Sequence, residues 1–141
     1  MQVETILQSK GRVVTTVTSS TTIAQAVELL NTHRIGAVVV SDNGKVSGIL
    51  SERDVVRHLG TDWTSLAKRP VSDVMTKNVI TASRMATIAD VMERMTEYRI
   101  RHMPIVESGE LVGIVSIGDV VKRKIEETEQ EAIALKEYIA S

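Results

Sequence analysis

Two short strings, GILSERD at 48–54 and GIVSIGD at 113–119, each set a Gly, then a Ser three residues on, then an Asp three further. Both lie where a β-branched run gives way to a helical pattern. A Ser at a helix N-cap with an acid at the third helical position closes two orphan backbone donors, which by itself accounts for the Ser and the Asp. It does not account for the Gly, whose missing Cβ lets another group approach the strand end closely. The same trio suits a ligand. Exposed amides at a helix start attract a phosphate, the Ser hydroxyl can bond it, and an ionised Asp accepts from vicinal hydroxyls. A sugar carrying a phosphate is the chemistry these groups serve together.

The elements that must position them occur twice. Slid by 65 residues, the chain matches itself without a gap from 14 against 79 to 56 against 121, and 15 of those 43 pairs are identical. VETIL (3–7) and VSDVM (71–75) also match in pattern, with three extra residues in the first copy before the register locks. Each copy predicts a short extended piece (13–17; 79–81) and then a helix entered through Thr22 with Gln25, or Thr87 with Asp90. Ile23, Val27 and Leu30, and Ile88, Met92 and Met95, give that helix one buried face. IGAVVV or IRHMPIV, then Asn43-Gly44 or Ser108-Gly109, then VSGILS or LVGIVS predict a hairpin. A second helix starts at each Ser-x-x-Asp. Residues 60–70 read as a polar connection, with Pro70 opening a short helix over 71–75.

Composition narrows the function. Of 141 residues only Trp63, Tyr98 and Tyr138 are aromatic, which argues against stacking of single-stranded bases, and none is Cys, which excludes disulfides and thiolate chemistry. The longest apolar run, Ile35 to Val40, is too short to span a bilayer, and the first residues do not read as a signal peptide; a soluble protein of the reducing cytoplasm is expected. Residues 126–141 carry five Glu against one Lys, which leaves +3 on the rest. That balance suits phosphorylated small molecules and argues against nucleic acid. His33, His58 and His102 are too scattered for a metal motif, and no Walker loop, G-x-G-x-x-G, H-E-x-x-H or nucleophile elbow is present; neither catalytic residues nor a metal site is expected.

The doubled G-h-x-S-x-x-D within a doubled β-α-β-β-α resembles a tandem pair of CBS domains, the module named after cystathionine β-synthase and called a Bateman module when paired. The likeness covers roughly residues 3–125. It implies an α/β fold of two motifs packed by pseudo-twofold symmetry, with motif 1 at 1–59, a linker at 60–70, motif 2 at 71–125 and a C-terminal acidic helix at 126–141. It further implies clefts between the motifs that bind an adenosine-containing ligand (AMP, ADP, ATP, NAD or S-adenosylmethionine), with no catalytic cofactor, a homodimer, and a signal passed to an effector protein.

On that resemblance Asp54 and Asp119 meet ribose hydroxyls, and Ser51 and Ser116 stand nearest the phosphate. Ile35, Gly36 and Ala37, and Arg101, His102, Met103 and Pro104, wall the adenine through backbone contacts beside Thr16 and Thr81. Arg53, Arg99, Arg101 and His102 hold phosphates, so the two clefts differ. Several of these residues also have plainer readings. Arg34 and Arg99 suit helix C-termini electrostatically, His102 can face solvent, and Pro104 marks a strand edge or a ligand-facing position. Val121, Ile125, Thr128, Ala132, Leu135 and Ile139 follow coiled-coil seam spacing for under three heptads, which predicts a helix docked on a partner or on its own domain and not an autonomous zipper. Lys122, Arg123 and Lys124 read as a phosphate entrance or as a solvated helix face. The alternative to a nucleotide sensor is a ligand-free scaffold with vestigial clefts.

Overall fold

A computed structural model describes residues 1–60 and 62–141; Thr61, in the expected connection 60–70, lies outside the described residues. The elements in order are α1 (Val3–Lys10), β1 (Thr16–Val17), α2 (Ile23–His33), β2 (Ala37–Asp42), β3 (Lys45–Ser51), α3 (Glu52–His58), α4 (Trp63–Lys68), a 3₁₀ turn (Val71–Asp73), α5 (Ile88–Tyr98), β4 (His102–Glu107), β5 (Glu110–Ser116) and α6 (Ile117–Ala140). They divide into two compact units. One holds Val13–Ile80 with Val106–Val112, the other Met1–Arg12 with Thr81–Ile105 and Gly113–Ser141.

In the unit around Val13–Ile80, β1 pairs in parallel with β2, and β2 runs antiparallel to β3. The hairpin turns through Asn43 and Gly44 at φ 53° and 78°, the left-handed pair that a two-residue connection needs. α2 starts in a complete capping box, Thr22 with Gln25. Ile23, Ala26 and Leu30 are buried with Val38, Val40, Leu50 and Val55, while Val27 is only partly covered. The buried face is thus one position off the expected Ile23–Val27–Leu30 line. Each large aliphatic there contributes about 1.5–3 kcal/mol.

The other unit repeats the plan. Thr87 caps α5 by accepting from the Asp90 amide at 3.1 Å, and Ile88, Val91 and Met95 are buried. β4 and β5 form a two-stranded sheet whose turn, through Ser108 and Gly109 at φ 51° and 80°, belongs with Val106–Val112 to the unit around Val13–Ile80.

Several expected elements come out differently. Of 13–17 only Thr16–Val17 is strand, and Val13 is almost fully exposed. Residues 79–81 form no strand; a single bridge, Ala82 to Ile105, stands in their place. The helix expected over 71–75 is a 3₁₀ turn, with Pro70 as the extended residue before it. The connection 60–70 contains α4, whose Leu66 is 1% exposed.

The matched openings change partners. VETIL lies in α1, within the unit of the second repeat: Gln2 bridges Thr87, and the Val3 and Glu4 amides donate to the carbonyls of Ala86 and Arg84 at 2.9 Å. VSDVM sits in the unit of the first repeat, where Pro70 bridges Thr22 and the Val71 amide donates to the Thr21 carbonyl at 2.7 Å. The segment preceding each repeat completes the fold of the other.

Candidate functional site

β3 delivers Ser51 to the start of α3. Ala37 pairs with Ser51 across the sheet, and the Glu52 amide donates to the Gly36 carbonyl at 2.9 Å, so residues 36–37 flank the helix entry. Ser51 caps the helix: its hydroxyl accepts from the Asp54 amide at 3.2 Å, and Asp54 Oδ2 accepts from the Ser51 amide at 2.9 Å and hydroxyl at 3.1 Å. Asp54 Oδ1 accepts from the Thr76 hydroxyl at 3.4 Å. Asp54 is 8% exposed, the one buried charged residue among those described.

The second tip has the same frame. The Ile117 amide donates to the Arg101 carbonyl at 2.8 Å, Ser116 accepts from the Asp119 amide at 3.2 Å, and Asp119 Oδ2 accepts from the Ser116 amide at 2.9 Å. Here a cation replaces the threonine. Lys10 Nζ donates to Asp119 Oδ2 at 2.7 Å and to the Ile114 carbonyl at 3.1 Å. Burial pushes the Asp119 carboxyl up, but the Lys10 ammonium and the Ser116 amide outweigh it and hold it below the ordinary carboxylate range. Asp119 Oδ1 has no hydrogen-bond partner among the described residues.

The remaining candidates are less gathered. Ile35 and Gly36 are half-buried, Ala37 is buried, and Arg53 is exposed in the first turn of α3. Arg101 is exposed, His102 half-buried, and Met103 and Pro104 buried; Met103 is 0% exposed, so neither its side chain nor its backbone is open to a ligand. The Pro104 carbonyl accepts from the Ala82 amide at 3.1 Å, so Pro104 is tied into a strand bridge. The Thr81 carbonyl accepts from Arg94 at 2.8 Å. Thr16 opens onto a groove of about 740 Å³ between β1 and α2, none of whose lining residues belongs to the Ser51–Asp54 tip. Arg34 and Arg99 are left-handed C-caps at φ 52° and 55°, closing α2 and α5. Arg123 and Lys124 make ion pairs with Glu126 and Glu127 one turn on, as a solvated helix face does.

The tip glycines have a packing cause. A Cβ on Gly48 would stand 2.5 Å from Met75 Sδ and 2.9 Å from the Thr76 carbonyl oxygen; one on Gly113 would stand 2.6 Å from Leu7 Cδ2. What approaches the strand here is the protein's own segment. The motif reading missed Lys10 and Thr76. Both follow closely on the matched openings VETIL and VSDVM, which was the available signal.

Among the described residues no helix is long and apolar enough to cross a membrane. Two α/β units, each with a capped carboxylate at a strand tip, define a duplicated module. The CBS-domain family model matches residues 10–61 and 71–126, and the chain belongs to that family. It is 35% identical over 127 residues to the mitochondrial CBS domain-containing protein CBSX3 of Arabidopsis thaliana, covering 86% of this chain and 62% of that one. The crystal structure of ATU1752 from Agrobacterium tumefaciens is similar at TM-score 0.84 and 44% identity, over 88% of this chain and 99% of that chain. The CBS domain pair of MJ0100, solved in complex with 5′-methylthioadenosine and S-adenosylmethionine, matches at TM-score 0.79 and 28% identity over 90% and 98%. PAE2072 from Pyrobaculum aerophilum, complexed with AMP, matches at 0.74 and 25% over 84% and 89%.

Proposed function

We propose that this chain is a regulatory module that binds an adenosine-containing small molecule at its Ser-x-x-Asp tips and passes the binding state to a partner protein. The observation that carries this reading is the Asp119 tip. A half-buried carboxylate, kept ionised by Lys10 and the Ser116 amide, keeps Oδ1 for a ligand hydroxyl beside a helix start. Support comes from the adenosyl compounds in the MJ0100 and PAE2072 complexes. Lys10 and Arg101 at this tip outnumber Arg53 at the Asp54 tip, so a phosphorylated ligand such as AMP, ADP, ATP or NAD favours it. The groups recognise hydroxyls and phosphate, and no proton transfer is assigned to either Asp.

A ligand-free scaffold has one observation on its side: Lys10 already occupies Asp119 Oδ2. Melting curves with AMP, ATP, NAD and S-adenosylmethionine separate the two readings. A bound ligand at about a hundred times its Kd adds roughly 2.7 kcal/mol, a rise of several degrees. Asp119→Asn should lose more of that rise than Asp54→Asn, each measured against its own ligand-free Tm because both side chains also cap helices. A flat response of the parent chain to all four compounds would leave the scaffold.

A further inference from the structure

α2 and α5 hold matching places in the two units, and one exchange between them alters a sheet edge. Position 29 is Leu where the repeat register sets Arg94, while Thr16 with Thr81 and Glu28 with Glu93 are identical pairs. In the unit around Thr81–Ile105, the Arg94 side chain reaches from α5 and donates to the Thr81 carbonyl at 2.8 Å. In the other unit no described side chain does the same. Thr16 stands opposite Val39, and the Val39 amide donates to the Thr15 carbonyl at 3.3 Å; because alternate residues bond the neighbour in a parallel pair, the Thr16 carbonyl points off the edge of the sheet. It opens onto the groove of about 740 Å³ between β1 and α2. Glu28, Leu29, Thr32 and Ser41 line the same groove, and Glu28 is exposed with no ion-pair or hydrogen-bond partner for its carboxylate among the described residues.

We propose that this groove receives the arginine side chain of a partner protein, whose guanidinium donates to the Thr16 carbonyl and the Glu28 carboxylate in the place that Arg94 fills in the other unit. A guanidinium carries five donors in a planar fork and no acceptor, which suits a lining of one carbonyl, one carboxylate and the Thr32 and Ser41 hydroxyls. Leu29 gives the methylene stem an apolar wall. A lysine ammonium has the charge without the fork, and an anionic group would be repelled by Glu28. The lining includes no cation to hold the carboxylate of a free amino acid, which commits the occupant to a side chain within a protein. The groove contains no residue of the Ser51–Asp54 tip, so an arginine can dock with or without a nucleotide bound.

The probe is Nα-acetyl-arginine methylamide, which presents the side chain without free α charges, titrated into the isotope-labelled full chain and followed by NMR. It should shift the Val17 amide, whose peptide carbonyl is that of Thr16, together with the Glu28 and Leu29 amides. Its lysine counterpart should bind about fivefold more weakly or worse. Glu28→Gln should weaken the arginine probe roughly fivefold, the loss of one exposed ion pair. Leu29→Arg should abolish binding, because the introduced side chain fills the groove from its own helix. Leu29 packs partly against the core, so the Tm of each variant is recorded, and Leu29→Met is the size control that keeps binding. The proposal is overturned by a Val17 amide that does not move at millimolar probe, by equal affinity for the arginine and lysine probes, by a Glu28→Gln affinity equal to the parent's, or by a folded Leu29→Arg chain that still binds. Free L-arginine binding about tenfold tighter than the blocked residue would make the groove a small-molecule receptor and overturn it too.

Discussion

Asp54 and Asp119 occupy matching positions with unlike partners, a hydroxyl from Thr76 in one and an ammonium from Lys10 in the other. The first carboxylate is held only by hydroxyls and an amide; the second is paired with a flexible side chain that a ligand phosphate can also recruit. The acid behaviour follows. Because Asp119 sits below its ordinary range in the folded chain, its stabilisation is complete above the unfolded value of about 3.9 and is lost as pH falls through the lower folded one. Lys10→Met should move the Asp119 carboxyl titration upward, read by carbon-detected NMR, and bring acid unfolding to a less acidic pH. An unmoved titration would show that the Ser116 amide alone sets it. The identity of the two acids was plain in the sequence. The Lys10 contact was not, since it joins residues 109 apart.

At the scale of elements, what the sequence made legible was local: caps, hairpin turns and helix faces follow from neighbours one turn or one register step away. Thr22–Gln25, Ser51–Asp54 and Ser116–Asp119 all close as capping boxes. The glycine argument identified a close approach but not the group that makes it, because that depends on which segment crosses the strand. The two crossings also differ in hardness. At Gly48 a new Cβ meets the Thr76 backbone, itself held by paired 2.9 and 3.0 Å bonds with Ile49; at Gly113 it meets only the tip of Leu7. Gly48→Ala should cost about 2–3 kcal/mol and Gly113→Ala about 1 kcal/mol by denaturant melting, overpacking being the common cause. Equal losses would mean that the Thr76 backbone yields as easily as a leucine methyl.

For the molecule as a whole, the 65-residue repeat predicts two like units, but not that each borrows its opening segment from ahead of the other. The reason is physical: a five-residue apolar match has too little pattern to declare its partner, whereas the 43-pair register is self-evident. The exchange has a consequence that sequence order would reverse. Leu7 lies ahead of the first repeat yet is 1% exposed inside the unit built from Thr81–Ile105, together with Val3 and Ile6. Leu7→Ala leaves a cavity there and should cost about 2–5 kcal/mol. Hydrogen exchange should then speed up in α5 and at the Ala82–Ile105 bridge, while α2 and the β2–β3 ladder keep their protection. Faster exchange in α2 with α5 unchanged would place α1 with the repeat that it precedes, and the reciprocal exchange of openings would be wrong.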